Sequence, residues 1–538
     1  MKKAIAVLLL GMVFTMAMAF STSVHAPPTY INWPMFHHDL ALSGVSPSTA
    51  PNTNNTLWIY DTRSSVLSSP AIVDGILYIG AMDGRLYALD ADTGALIWFY
   101  QTGGAIYSSP AVEYDKVYFL STDGKIYALD ADTGAFIWST AIGPGSLDWS
   151  SPAVHGGRVF IAGSRWVHSL NANTGAFIWS TNVGGQSNGP IAVVNGKVYS
   201  GTHNFDNLSP TLVALDELTG GIIWTYDYHL WHGGVVAFIN SNGAAVADGD
   251  GDGDLEVYFG VVTWTGSGPQ AICLDEATGA EVWTQNINGW STSTPAVHNG
   301  VVFIGSDDHN LYALNAGTGA VVWTYTTGAA IWAAPAVADG KVFVGSLDHI
   351  FYALNEVTGS LIWSYDTSLS RLIGSPAVAD GKVFVGNENG KVYAFGQPYI
   401  PVYVDIKPGS WPNPLNLKDK GVLPVAVCGT EDFDVTTIDP ATVQLTLEGL
   451  GVGVSPLRWS YEDVATPYLG EDYGGHDLDG DGYLDLTLKF KAQEVIETLG
   501  LDAFSDGDVV TIVLTGNLKE EYDGTAIIGQ DYIIILSK

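Results

Sequence analysis

LYALDADTGALIW (86–98) returns forty residues later as IYALDADTGAFIW (126–138), and this pair decides the fold. Further copies follow as VHSLNANTGAFIW (167–179), LVALDELTGGIIW (212–224), AICLDEATGAEVW (271–283), LYALNAGTGAVVW (311–323) and FYALNEVTGSLIW (351–363). A second phrase precedes most of them: SSPAIVDGILYIG (68–80), SSPAVEYDKVYFL (108–120), APAVADGKVFVG (334–345) and SPAVADGKVFVG (375–386). Asp74-Gly75, Asn195-Gly196, Asn299-Gly300 and Asp380-Gly381 separate alternating apolar runs, where both turn residues must accept positive φ. Each unit therefore reads as four antiparallel strands, the blade of a β-propeller. The apolar runs lack the 3.6-residue period that a helical solenoid would need.

The two ends of the repeat give the blade count. SPAVADGKVFVGNENGKVYAFG (375–396) supplies three strands and stops before its tryptophan phrase, while NTLWIYDT (55–62) supplies that phrase alone, with Trp58 in the tryptophan's place. Pairing them removes the open sheet edges that would invite aggregation. Seven complete units and one composite unit predict an all-β, eight-bladed propeller over residues 27–397.

The phrase A-x-D-x-x-T-G-x-x-x-W, present as Ala88, Asp90, Thr93, Gly94 and Trp98, resembles the tryptophan-docking motif of pyrroloquinoline-quinone-like (PQQ-like) propellers. That family includes quinoprotein alcohol dehydrogenases and the outer-membrane assembly scaffold BamB. WPMFHHDLALSG (33–44) is similar to the opening phrase of its secreted members. The resemblance implies that Trp58, Trp98, Trp138, Trp179, Trp224, Trp283, Trp323 and Trp363 each pack on a neighbouring blade, with the Asp and Thr-Gly forming the turn between the outer strands. Asn stands for Asp at 171, 315 and 355, and Cys273 stands where Ala is usual.

Composition narrows the partners. Lys plus Arg total 21 against 56 Asp plus Glu, a net charge of −35, so nucleic acid would be repelled and cations attracted. The opening MKKAIAVLLLGMVFTMAMAFSTSVHA (1–26) reads as a secretory signal with small-residue cleavage options at Ala19 and Ala26. No membrane span is expected in the mature chain, which is placed outside the cytoplasm: secreted, or in the cell envelope (periplasmic or pseudoperiplasmic). The only cysteines, Cys273 and Cys428, are too few for a disulfide framework and read as small apolar packing residues.

An enzyme of the quinoprotein kind needs a quinone pocket, which the resemblance associates with a calcium-bound acidic pair, a stacking tryptophan and vicinal cysteines. The chain has no adjacent cysteines and no long loops in most repeats, so PQQ is not expected as cofactor and the chain is read as a non-enzyme. No nucleophile elbow, H-E-x-x-H or phosphate loop appears. His37-His38 belongs to a structural phrase, and His232 has no visible partner. Aromatics ahead of the innermost strands, Tyr107, Trp149, Trp231, Trp290 and Trp332, gather by symmetry near one mouth of the channel, either packing there or offering flat faces to a ligand.

The fifth repeat is irregular. Trp224 and Trp283 are 59 residues apart, and the surplus falls around VADGDGDGDLEVYFG (246–260). Asp248, Asp250, Asp252, Asp254 and Glu256 occupy every second position; HDLDGDGYLDLTLKF (476–490) repeats the form with Asp477, Asp479, Asp481, Tyr483 and Asp485. Carboxylates at loop positions 1, 3 and 5 with a backbone carbonyl at 7 suit one hard cation, and glycine permits the bend. Phe259 and Leu488 stand where an EF-hand needs its bidentate Glu, so the loops look closer to the nine-residue calcium loops of integrin-type propellers, completed by Glu256 and Asp485. Two Ca²⁺ sites are expected.

After GQPYIPVYVDIKPGSWPNPLN the repeat is gone, and residues 398–538 read as a β-sandwich with one short helix at AQEVIETLG (492–500). This part is similar to a module appended to many secreted microbial proteins. The expectation is a calcium-binding, non-catalytic binding or scaffold protein whose partner is a protein or glycan at the cell surface. The alternatives are a PQQ-dependent dehydrogenase and a BamB-like envelope assembly factor.

Overall fold

The structure, a computed structural model, describes residues 31–143, 150–202, 211–228, 237–238, 243–263, 270–368, 370–396, 399–408, 413–430, 433–447, 453–465, 482–519, 522 and 525–536. The signal segment 1–26 lies outside them, as do His232, Trp149 and Trp231, together with Asp477, Asp479 and Asp481. Eight four-stranded antiparallel sheets follow in chain order as blades 1 to 8. Blade 1 runs through Ala71–Val73, Ile76–Gly80, Arg85–Asp90 and Leu96–Gln101, and the next six repeat this order. Blade 8 takes Ala377–Ala379, Lys382–Gly386 and Lys391–Phe395 from the end of the repeat and Thr56–Asp61 from its beginning. Trp58 pairs with Ala394 across that seam, so the chain closes the propeller on itself.

Seven of the eight tryptophans use the same contact. Each indole N–H donates to a carbonyl of the next blade: Trp58 to Ala91 (3.0 Å), Trp98 to Ala131 (2.9 Å), Trp138 to Ala172 (2.9 Å) and so on to Trp323 and Glu356 (3.0 Å). The ring lies on the Thr-Gly turn of that blade. A Cβ on Gly94 would sit 2.6 Å from the Trp58 ring, and the same holds for Gly134 under Trp98. Those glycines have φ near +70°, so absence of a side chain serves both the turn and the stacking. Blade 8 has no Thr-Gly turn of its own, and Trp363 docks instead on the Pro51 carbonyl at 3.0 Å, in the segment leading into Thr56–Asp61.

A second belt lies nearer the axis. The residue that enters the inner strand, followed by proline in every blade but the fifth, donates its N–H in five steps to the hydroxyl at the same place in the next blade: Ser69 to Ser109 (3.0 Å), Ser109 to Ser151 (3.0 Å), Gly243 to Thr294 (2.7 Å), Ala334 to Ser375 (2.9 Å) and Ser375 to Ser69 (2.9 Å). The three remaining steps are those whose acceptor position holds Gly189, Gly243 or Ala334, residues without a hydroxyl. Because Ser375 is in blade 8 and Ser69 in blade 1, the belt also crosses the closure. Ser69→Ala leaves the buried Ser375 N–H without its acceptor and should cost about 1–3 kcal/mol; a shift of the urea midpoint at constant slope is the check, and an unchanged midpoint would remove the belt from the account.

The N-terminal phrase fills the channel at its turn end. Trp33 and Ile72 exchange N–H···O bonds (both 2.8 Å), and carbonyls of Pro34, Leu40, Ala41, Ser43 and Gly44 accept the N–H groups of Val112, Val193, Val246, Val297 and Val337 at 2.7–3.0 Å. One segment thus pairs with the innermost strands of six blades. Trp33, Met35 and Leu42 are buried inside it. His37, also buried, directs its two ring nitrogens at the carbonyls of Leu42 (2.7 Å) and Pro335 (2.9 Å), so it pins the plug and is not half of a metal pair with His38.

Beyond the propeller two sheets face each other. One holds Tyr399–Pro401, Pro414–Asn416, Ile438–Leu447, Gly453–Val454, Val509–Leu518 and Ala526–Leu536; the other holds Tyr403–Ile406, Val422–Cys428, Arg458–Glu462 and Asp485–Lys491. Their core includes Ile406, Val425, Leu445, Leu488, Phe490 and Ile533. The short helix Ala492–Thr498 directly follows the last strand of the smaller sheet and buries Val495 and Ile496.

Candidate functional site

The acidic stretch of blade 5 is a hairpin. It joins Ala245–Ala247 to Glu256–Gly260, where blade 1 needs only Asp74 and Gly75. Asp248 accepts the N–H of Gly251 (2.8 Å) and of Gly253 (3.1 Å), which folds the loop around its own carboxylate. Gly251 and Gly253 take φ of 81° and 98°, conformations closed to most side chains. Carboxylate oxygens of Asp248, Asp250 and Glu256 all lie within 4.8 Å of one another. Asp252 and Asp254 are exposed and stand outside this group, with Asp252 turned to accept the Asp254 N–H at 2.9 Å.

Glu256 anchors the cluster from inside. It is buried, accepts Gly249 N–H (3.1 Å) and Tyr258 O–H (2.9 Å), and burial with its acidic neighbours Asp250 and Asp252 pushes its carboxyl above the usual range. Three carboxylates this close repel one another unless a cation sits among them. The loop also leans on the next blade: a Cβ at Gly317 would be 3.0 Å from Asp250 Cβ. A hard cation held there would tie blade 5 to the turn of blade 6.

Of the second acidic loop only Tyr483 and Asp485 fall among the described residues. Tyr483 is exposed, whereas Asp485 is fully buried at the start of its strand. Its oxygens accept the N–H groups of Gly429 (3.0 Å), Val464 (2.8 Å) and Ala465 (2.8 Å). Burial and the nearby Asp485 push the Asp405 carboxyl up to about 6.

At the end of the channel opposite the plug stand the loops that enter the innermost strands. Tyr107 is half-buried there, while Trp290 and Trp332 are 42% and 38% exposed. The symmetry expected between them is offset by two residues. Trp290 accepts the Asp307 N–H at 2.8 Å just as Ala330 accepts the Leu347 N–H at 3.0 Å, so Trp290 corresponds to Ala330, and Trp332 to Tyr107. Asp307 was not singled out from the sequence. Its Oδ1 accepts the Trp332 indole N–H at 2.7 Å, and burial raises its carboxyl above the ordinary range. The available signal was an acid in SDDHN where three other repeats carry Met82, Thr122 and Leu347, although a fourth carries Glu388.

Neither cysteine is in a disulfide and both are buried, Cys273 in blade 5 and Cys428 in the C-terminal module; burial pushes the Cys273 thiol well up, so it is inert.

A family model described as "Outer membrane protein assembly factor BamB" matches residues 45–147, 122–260 and 269–397. No curated protein matches the chain. Among solved structures, a europium-containing methanol dehydrogenase superposes with a TM-score of 0.58 at 17% identity, covering 69% of this chain and 98% of its own. The quinohemoprotein alcohol dehydrogenase from Comamonas testosteroni gives 0.57 at 18%, covering 69% and 82%. The computationally designed Ika8 protein gives 0.51 at 17%, covering 63% and 98%. Likeness at these identities establishes the propeller fold. The expectation that the chain is a non-enzyme is corrected by them, since the structures that share its fold include two dehydrogenases.

Proposed function

Starting from the premise that this chain belongs to the family described as outer membrane protein assembly factor BamB, a PQQ-like propeller family, we propose that it is an extracytoplasmic ligand-binding propeller. On this reading a cation at Asp248, Asp250 and Glu256 steadies it, and the channel mouth takes the ligand. The observation that carries it is the asymmetry of the channel. One end is filled by residues 33–46 bonded to six blades, while the other presents two exposed tryptophans joined through Asp307. Large exposed indoles joined through one aspartate are a recognition surface. The partner class is a protein or glycan at the cell surface, reached after export directed by residues 1–26. The propeller over 27–397 is the binding unit, and 398–538 is an appended module with a second cation loop at Asp477, Asp479, Asp481, the Tyr483 carbonyl and Asp485.

The test is capture from the native cell surface with purified protein. Wild type should retain a partner that the Trp290→Ala/Trp332→Ala double variant releases; equal capture by both would end the reading. Calcium is expected to act on stability: at a free concentration a hundred times Kd it should add about 2.7 kcal/mol. A chelator-treated sample melting at the same temperature with and without Ca²⁺ would contradict the cation site.

A second reading is quinone-dependent oxidation, favoured by the likeness to two dehydrogenases and by a carboxylate beside an indole at the mouth. The fit to PQQ is incomplete. Trp332 and Asp307 supply a stacking ring and one acid, but the cysteines lie apart and buried. Dye reduction with alcohols or sugars after reconstitution with PQQ and Ca²⁺ decides this reading.

A further inference from the structure

We infer that Trp290, Asp307 and Trp332 form a saccharide-binding subsite at the channel mouth. The inference rests on the ligand-binding reading above and names its substrate class.

The repeat itself is the control. If Trp290 served closure or packing, its kind would recur around the ring, as an aromatic does at the place of Trp332 in Tyr107 and an acid at the place of Asp307 in Glu388. At the place of Trp290 the other blades carry Ser65, Ala105, Ala330 and Arg371, the residues whose carbonyls accept Met82, Thr122, Leu347 and Glu388 N–H groups. Among the described residues only the loops and turn of blades 6 and 7 combine two exposed indoles with a carboxylate.

The geometry is preorganised. The Trp332 indole is held by its N–H bond to Asp307 Oδ1 (2.7 Å), so an exposed face is presented in a fixed orientation and stacking costs little side-chain entropy. Asp307 is itself tied to Trp290 through its backbone N–H (2.8 Å). No lysine or arginine pairs with Asp307 among the described residues, and as an acceptor it calls for a donor from the ligand.

Two ligand chemistries offer donors to a carboxylate beside indoles: a hydroxylated ring and an ammonium group. The surroundings favour the ring. Asn286 and Asn288 are exposed on the same loop, four and two residues before Trp290; the Asn288 side chain bonds Tyr312 and its backbone N–H goes to Asn286 Oδ1 (2.8 Å), which leaves the Asn286 amide N–H groups to donate outward. Hydroxyls donate as well as accept, whereas an ammonium group presents donors only and leaves these amide N–H groups unused. The apolar C–H face of a pyranose matches an indole face, and its hydroxyl edge matches Asp307 and the Asn286 amide.

The experiment is an oligosaccharide array with the full chain in Ca²⁺, followed by calorimetric titration of the strongest hit, with chitohexaose and cellohexaose as starting probes and tetramethylammonium and a lysine-rich peptide as rivals. Binding of a saccharide is expected, weakened at least tenfold by Trp332→Ala and by Asp307→Asn while both variants melt as wild type does. Trp332→Phe should recover part of the affinity, since it restores a flat ring without the indole bond. Binding of the ammonium probes in preference to sugars overturns the inference. An array without hits, alongside surface capture that still depends on Trp290 and Trp332, overturns the saccharide class and leaves the ligand-binding reading standing; loss of that dependence as well overturns both.

Discussion

Trp138→Ala is expected to destabilise the propeller by about 4 kcal/mol, the largest single effect in the molecule. The ring is 93% buried by its neighbours, its solvent exposure being 7%. It stacks on Gly175 of blade 3, packs against Tyr118 at 6.0 Å and donates to the Ala172 carbonyl at 2.9 Å. Deleting it opens a cavity between two blades that are otherwise joined there by the hydroxyls of Thr140, on the Gly175 carbonyl (2.7 Å), and Tyr118. Trp138→Phe separates the contributions. It keeps an aromatic face, and the Ala172 carbonyl still accepts the Tyr118 hydroxyl at 3.2 Å, so a loss of only about 1–1.5 kcal/mol is expected. Urea unfolding of the Ca²⁺-loaded protein measures both; equal losses for the two variants would mean that the hydrogen bond, not the ring, does the docking.

The second large effect is a pH dependence from His168. This side chain is buried on blade 3, with Nδ1 on Ser180 Oγ at 2.8 Å, no partner at Nε2, and Phe177 against it edge-on at 5.2 Å. Burial lowers its pKa from 6.5 to about 4, so the folded chain keeps it neutral where the unfolded chain charges it. The sign follows. Stability from this group is complete above pH 6.5 and is lost as pH falls toward 4, by about 3 kcal/mol in all. His168→Gln should remove that slope. Comparing unfolding free energies of the two proteins from pH 7 to 4 isolates it from the many carboxylates they share, and parallel curves would refute the burial argument.

How far the sequence could be read follows from how each feature is encoded. The docking tryptophans and the composite blade were legible because they recur: seven copies of one contact go with seven copies of one phrase, and the half-units at 55–62 and 375–396 complete each other. The hydroxyl belt hides in the same repeats, since S-S-P reads as an ordinary strand entry until Ser375 is seen to reach Ser69 across the closure. The plug was not legible. Residues 33–46 occur once, and they act through backbone carbonyls that carry no side-chain signature. The acidic hairpin was placed in the correct blade, but the spacing suggested carboxylates of Asp248, Asp250 and Asp252 with the Asp254 carbonyl and Glu256, where the fold gathers those of Asp248, Asp250 and Glu256. The glycines that let the loop bend also let Asp252 and Asp254 turn outward. Asp307 was missed because its partner Trp332 lies 25 residues away, a pairing set by the loop that enters the next blade.

Calcium titration by calorimetry on chelator-treated protein tests the central claim most directly. The account predicts saturable Ca²⁺ binding that loses one site in the Asp248→Asn/Asp250→Asn variant, with a fall in melting temperature of the Ca²⁺-treated protein. It also predicts retention of the site assigned to Asp477 and Asp479. A flat trace for wild type, or a trace unchanged by the double substitution, would contradict the assignment of this propeller as one steadied by a cation at its fifth blade.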